Sequence, residues 1–168
     1  QGDFNDLAAL KEGIKNHTRL FLLISAFDKF VENKTEIAKI AYAAGVKQIV
    51  DISSLAVNMG WRTSYIGAKH YDAELSILSL PNRGKFVALR PGRFMSNLIH
   101  TERPYPSGKI FDSVDGDRKQ GWISTNDIGS IAAVVLSEDV EKHGDAVYSL
   151  IGDVASGYER AAFYTRLF

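Results

Sequence analysis

The stretch of residues 46–69 constrains the fold of this chain more than any other part of the sequence. It opens with a compact apolar run rich in β-branched residues, directly after a helix-like segment that stops at Gly45. Such a run predicts a strand that is buried on both faces of a parallel sheet. Ser53 and Ser54 follow this strand, and open α/β sheets bind their ligands at the carboxyl ends of their strands.

Tyr65 and Lys69 lie four residues apart in the second half of this stretch. On a helix, that spacing places both side chains on one face, about one turn apart. A serine hydroxyl, a phenol and an ammonium group brought together there could transfer a proton to or from a carbonyl oxygen. The alternative is that Tyr65 is only a partly buried aromatic residue, because the Tyr-x-x-x-Lys pattern is common by chance.

Strand-like and helix-like segments alternate along the rest of the chain. This alternation predicts βαβ units and therefore an α/β fold with a parallel sheet. Residues 101–120 are polar and predict a loop region, while residues 154–168 form a terminal segment with no obvious partner. Besides the central run, further strands are predicted at residues 20–24, 85–89, 122–125 and 146–151.

Composition narrows the class of protein. The 168 residues are 45% apolar, which is enough for one domain with a real core. The 20 basic and 20 acidic residues balance, so nothing favours binding to nucleic acid or to an anionic membrane. Cysteine is absent and the four histidines are scattered, so no metal site is expected. Without a membrane-spanning run or a signal pattern, we expect a soluble, cytoplasmic protein.

Short motifs occur in a fixed order along residues 2–153. The most specific is Arg-Pro-Gly-Arg-Phe-Met-Ser-Asn at residues 90–97. The others are Gly-Asp at 2–3, Ala-Ala-Gly-Val-Lys at 43–47 leading to the two serines, Lys69 followed by Glu74, and Thr-Asn-Asp-Ile at 125–128. Together they resemble NmrA-like proteins, which are atypical members of the short-chain dehydrogenase/reductase superfamily. The resemblance implies a Rossmann-type fold, NAD(P) binding, and reductase or redox-sensing activity.

The resemblance also implies roles for individual residues. Lys69 would bind the cofactor ribose, Tyr65 would act as the acid/base, and Ser53 or Ser54 would orient a substrate carbonyl. Asp3 and Phe4 would pack against the adenine ring, and the alternative is that they only flank the first helix. The cofactor groove would be lined by Ser25, Ala26 and Phe27. The nicotinamide side would be wrapped by Pro91, Gly92, Arg93 and Phe94.

One expected feature of the family is missing from the sequence. NmrA-like proteins open with a strand and a Gly-rich loop that holds the cofactor pyrophosphate at a helix N-terminus. Here Gly13 lies within a helical pattern, and the other glycines do not cluster after an early strand. We therefore expect a doubly wound parallel sheet that lacks its first βαβ unit, within residues 1–153, and a truncated C-terminal segment at 154–168. The strand at 20–24 would then be an exposed edge that is prone to aggregation.

The leading functional hypothesis is NAD(P)H-dependent reduction of a small carbonyl or quinone-like molecule. The alternative is a redox-sensing regulator that binds the dinucleotide and passes the signal to a protein partner without significant catalysis. The choice between NAD and NADP stays open, because it is normally read at the end of the second strand of the fold.

Overall fold

The computed structural model describes residues 3, 6–60, 63–101, 104 and 108–167. The strands are β1 (Arg19–Leu22), β2 (Gln48–Ile52), β3 (Lys85–Pro91), β4 (Arg93–Phe94), β5 (Lys119–Ile123), β6 (Val147–Leu150) and β7 (Asp153–Ser156). The α-helices are α1 (Leu7–Gly13), α2 (Phe30–Ala43), α3 (Tyr65–Leu78), α4 (Asn97–His100), α5 (Thr125–Ser137), α6 (Val140–His143) and α7 (Gly157–Leu167). A short 3-10 helix spans Leu55–Asn58.

The main sheet has the strand order β1-β2-β3-β6, and all neighbouring strands in it are parallel. A smaller sheet has the order β4-β5-β7, in which β4 is parallel to β5 and β7 is antiparallel to it. The predicted α/β fold with a parallel sheet is confirmed. The smaller sheet was not predicted as a separate unit.

Helices cover both faces of the main sheet, as in a doubly wound fold. Strand β2 is buried along its whole length, as its apolar run predicts. Its successive side chains point to opposite faces, so Ile49 packs in the core beneath α2 and α3, and Val50 packs in the core beneath α5. Among the described residues, no helix is both long enough and apolar enough to cross a membrane.

Strand β1 lies at one edge of the main sheet. Phe21 is 42% exposed, and Leu23, just after the strand, is 56% exposed. These are large apolar side chains beside a row of backbone groups that face no further strand among the described residues. The prediction that this strand forms an edge is therefore met within the described chain.

Candidate functional site

The parallel order of β1, β2 and β3 brings the segments that follow them to the same edge of the sheet. Residues 25–27 follow β1, and residues 53–54 follow β2. Ser25 and Ala26 are exposed there, while Phe27 is half-buried. The Phe27 ring stacks on Phe30 with 5.1 Å between centroids and lies 6.0 Å from the Tyr65 ring. At the carboxyl ends of the strands, one predicted cofactor-binding residue therefore lies beside the predicted acid/base.

Tyr65 and Lys69 lie together at the start of α3, as their spacing predicts. Helix α3 begins at Tyr65 because the Ser64 side chain caps it by accepting a hydrogen bond of 3.0 Å from the Gly67 N–H. The Lys69 Nζ lies 5.8 Å from the centroid of the Tyr65 ring, within the range of a cation–π contact. Tyr65 is 64% exposed, so its phenol is open to a ligand.

The two serines after β2 have different surroundings. Ser53 is 3% exposed, and its hydroxyl donates to the Glu74 carboxylate. Ser54 is half-buried, and its Oγ accepts a hydrogen bond of 3.2 Å from the Ala56 N–H, which caps the short 3-10 helix. Within the described part of the chain, the proton of Ser53 is therefore committed to a neighbour, whereas Ser54 serves as an acceptor.

Glu74 belongs to a buried polar network that the sequence did not assign. Arg90 on β3 donates from Nε to Glu74 Oε1 over 3.0 Å and from Nη2 to Oε2 over 2.5 Å. The Arg90 Nη1 also donates to the Asn58 Oδ1 over 2.9 Å. Both Glu74 and Arg90 occur in the motifs that carry the family resemblance. Their partners are distant in sequence, so the motifs alone did not indicate a role for either residue.

A second buried ion pair lies beneath the same edge. The Lys34 Nζ donates to Asp51 Oδ1 over 2.7 Å, to Oδ2 over 2.9 Å and to the Ile52 carbonyl over 2.8 Å. It also lies 4.7 Å from the centroid of the Phe30 ring. Burial raises the pKa of Asp51 to about 6, and the Lys34 charge opposes that rise. The pair fixes the end of β2 just before the serines.

His70 lies beside this ion pair and is 7% exposed. Its ring lies 4.8 Å from Phe30 and 6.1 Å from Phe27, both edge-on. Burial lowers the pKa of His70 to about 3, and the positive charge of Lys34 lowers it further. The imidazole is therefore neutral near pH 7, so it serves as part of the aromatic support under Phe27.

The segment after β3 packs against the smaller sheet. Pro91 is buried, and the Gly92 N–H donates to the Leu150 carbonyl over 2.9 Å. The Arg93 guanidinium lies 5.0 Å from the Trp122 ring and bonds Asp112 over 3.2 Å. Phe94 packs against the core beneath α5. These contacts fix the backbone of residues 91–94, from the last residue of β3 through β4.

The remaining predicted positions lie near the N-terminus. Asp3 is exposed, and its carbonyl accepts a hydrogen bond of 2.9 Å from the Asp6 N–H. Phe4 lies outside the described residues, so its predicted place against an adenine ring stays a prediction. No group of three or more side chains suited to holding a metal is found in the described part of the chain.

The fold is of the Rossmann type, with its candidate site at the carboxyl edge of a parallel sheet. No protein-family model matches the chain, and no curated protein matches it. Among solved structures, it is similar to the NADPH-dependent quinone oxidoreductase of Escherichia coli in complex with NADPH. The two share 25% identity and a TM-score of 0.84, over 99% of this chain and 58% of the oxidoreductase.

Two further structures extend the similarity. The triphenylmethane reductase of Citrobacter sp. complexed with NADP(H) shares 20% identity and a TM-score of 0.81, over 99% of this chain and 58% of the reductase. MoeE5 in complex with UDP-glucose and NAD shares 21% identity and a TM-score of 0.80, over 99% of this chain and 67% of MoeE5. The chain thus spans between 58% and 67% of the length of these three proteins.

Proposed function

We propose that this chain belongs to an NmrA-like reductase that uses NAD(P)H to reduce a small carbonyl or quinone-like substrate. The observation that carries the proposal is the pairing of an exposed Tyr65 with Lys69, one turn apart, at the carboxyl edge of the parallel sheet. The similar structures support it, because one is an NADPH-dependent quinone oxidoreductase and another is a reductase complexed with NADP(H).

The residues at the edge fit a dinucleotide. The Lys69 ammonium supplies donors for ribose hydroxyls. Ser25 and Ala26 are exposed beside Phe27, so both are accessible to a ligand after β1. Asp3, Phe4 and residues 91–94 complete the proposed cofactor-binding set. A reduced nicotinamide, when bound, supplies a hydride to the substrate.

Tyr65 completes the proposed reduction as a general acid. As the carbonyl carbon gains the hydride, the carbonyl oxygen takes the phenol proton of Tyr65. The phenolate that remains lies beside the Lys69 ammonium, which stabilises its negative charge. Because Tyr65 is 64% exposed, solvent can return the proton.

Of the two serines, Ser54 suits the substrate carbonyl better. The proton of Ser53 already goes to Glu74, and Ser53 is 3% exposed, so its hydroxyl has little access to a ligand. Ser54 is half-buried, and the Ala56 N–H occupies only one lone pair of its oxygen. Its own proton can therefore be donated to a carbonyl oxygen.

Replacement of Tyr65 by phenylalanine tests this function. Removing the phenol should reduce turnover by about 10²–10⁴-fold, the usual contribution of a general acid. Binding of NADPH, measured by calorimetry, should change little. Tyr71→Phe is the matched control, because Tyr71 lies on the same helix and is 52% exposed. The protein should be expressed from its complete gene, and full turnover by Tyr65→Phe would refute the proposed chemistry.

A redox-sensing regulator is the second candidate. It is favoured by one observation: Ser53, one of the two serines predicted to orient a substrate carbonyl, is 3% exposed and donates its hydroxyl proton to Glu74. In this alternative, the protein binds the dinucleotide and a protein partner reads the bound state. Absence of turnover with a broad panel of carbonyls and quinones, together with retained dinucleotide binding, would select this candidate over the reductase.

A further inference from the structure

Residues 53–58, which we call the serine segment, connect β2 to the loop before α3. The segment is held at both ends by side chains. At its start, the Ser53 hydroxyl donates to Glu74 Oε1, and at its end, the Asn58 Oδ1 accepts a hydrogen bond of 2.9 Å from Arg90. Ser54 lies between these two anchors.

The two anchors form a single unit, because Glu74 and Arg90 are joined to each other. Both carboxylate oxygens accept from the guanidinium, at 3.0 Å and 2.5 Å. The side chains are 6% and 17% exposed. A bidentate pair of this kind has a fixed geometry, and Arg90 brings it to β3 while Glu74 brings it to α3. The position of the serine segment is thus tied to both elements.

A close backbone approach restrains the middle of the segment. A Cβ on Gly67 of α3 would lie 2.2 Å from the Ala56 carbonyl oxygen. Helix α3 can therefore lie directly against the segment only because residue 67 is glycine. Tyr65 is two residues from this contact, so the turn of α3 that carries the phenol packs directly against the segment that carries Ser54.

We propose that the ion pair of Glu74 with Arg90 is a positioning element for the Ser54 hydroxyl. The inference rests on the proposed function, in which Ser54 orients the substrate carbonyl. In this role Glu74 and Arg90 act through the protein, by holding the serine segment against α3. A displacement of the hydroxyl by about 1 Å is enough to lower turnover by about 100-fold.

Hydrogen exchange tests whether the ion pair of Glu74 with Arg90 holds the serine segment in place, without any need for turnover. Asn58→Ala removes one anchor at an exposed position, and Glu74→Gln weakens both anchors. Each should raise amide exchange in the serine segment by about tenfold, as expected for loss of a hydrogen bond to a charged group. Asp145→Asn is the matched control, because it breaks the bidentate pair with Arg83 at the opposite end of the sheet. Unchanged exchange in the serine segment of both test variants would overturn the inference.

A double-mutant cycle then tests whether the ion pair of Glu74 with Arg90 acts through Ser54. Glu74→Gln should lower kcat by about 100-fold in the wild type and by less than about twofold in a Ser54→Ala background. Asp145→Asn should leave kcat unchanged in both backgrounds. Losses that multiply in the double variant would show that Glu74 does not act through Ser54 and would overturn the inference. The two ideas are distinguishable, because the proposed function fails if the wild type has no turnover, and the positioning role fails on the cycle or on the exchange.

Discussion

Replacing Gly67 by alanine gives a sharp test of how α3 packs. The new Cβ would lie 2.2 Å from the Ala56 carbonyl oxygen and 2.8 Å from its carbonyl carbon. Both are backbone atoms, so no side-chain rotation can relieve the contact. The N-terminal turn of α3 must move away from the serine segment, or the segment must move away from α3. Either movement changes the position of Tyr65 relative to Ser54.

The expected free-energy change is the difference between two effects. Overpacking in a closely packed region costs about 1–3 kcal/mol, and a backbone clash belongs at the upper end of that range. Alanine in place of glycine within a helix gains about 1 kcal/mol. We therefore expect Gly67→Ala to lower the free energy of unfolding by about 2 kcal/mol, which corresponds to a fall in Tm of about 4–8 °C for a chain of this size.

Gly129 provides the control. It is exposed on α5, and a Cβ there would meet nothing within 4 Å. Gly129→Ala should therefore raise the free energy of unfolding by about 0.5–1 kcal/mol from helix propensity alone. Urea denaturation of the two variants should give changes of opposite sign. If Gly67→Ala is stabilised as much as Gly129→Ala, the close approach of α3 to Ala56 is wrong.

Three other predictions concern buried charges and the sheet edge. His70 has a pKa of about 3 in the fold and about 6.5 in the unfolded chain, so the wild type loses stability as the pH falls below 6.5. His70→Gln should therefore lose less stability than the wild type between pH 7 and pH 4.5, as measured by urea midpoints. Lys34→Met should lower the free energy of unfolding by about 3–5 kcal/mol at pH 8, because it leaves Asp51 charged, buried and unpaired. The loss should be smaller at pH 5, where protonation neutralises Asp51, and an equal loss at both pH values would contradict this explanation. The 168-residue chain expressed alone should self-associate in sedimentation experiments, and Phe21→Lys should reduce the association; a monomeric wild-type chain with a cooperative melt would count against edge pairing.

The main sheet was predictable because its signal is local. The apolar run before Ser53 marks β2, and the alternation of runs and helical patterns marks the parallel order. The smaller sheet had no such signal. Strand β4 is two residues long, and β7 lies in a segment that the sequence indicated to have no partner. Their extended backbone depends on pairing with β5, which is distant in sequence.

The candidate site was predictable only where its contacts are local in sequence. The contact of Tyr65 with Lys69 follows from helical spacing. The difference between Ser53 and Ser54 does not, because it depends on Glu74, which is 21 residues from Ser53 along the chain. The side chain of Lys34 looks like a surface lysine in its sequence context, and only its partner 17 residues away makes its complete burial possible.

The buried pair of Lys34 with Asp51 also restricts the paths by which this sequence can diverge. Removing either charge alone leaves the other buried and unpaired, which lowers the free energy of unfolding by about 3–5 kcal/mol. Replacing both by apolar residues of similar volume is often neutral for stability. A typical domain is stable by only about 5–15 kcal/mol, so many backgrounds could not survive the single step. Substitutions at the two positions are therefore expected to be coupled. Descendants that differ here should differ at both positions or at neither.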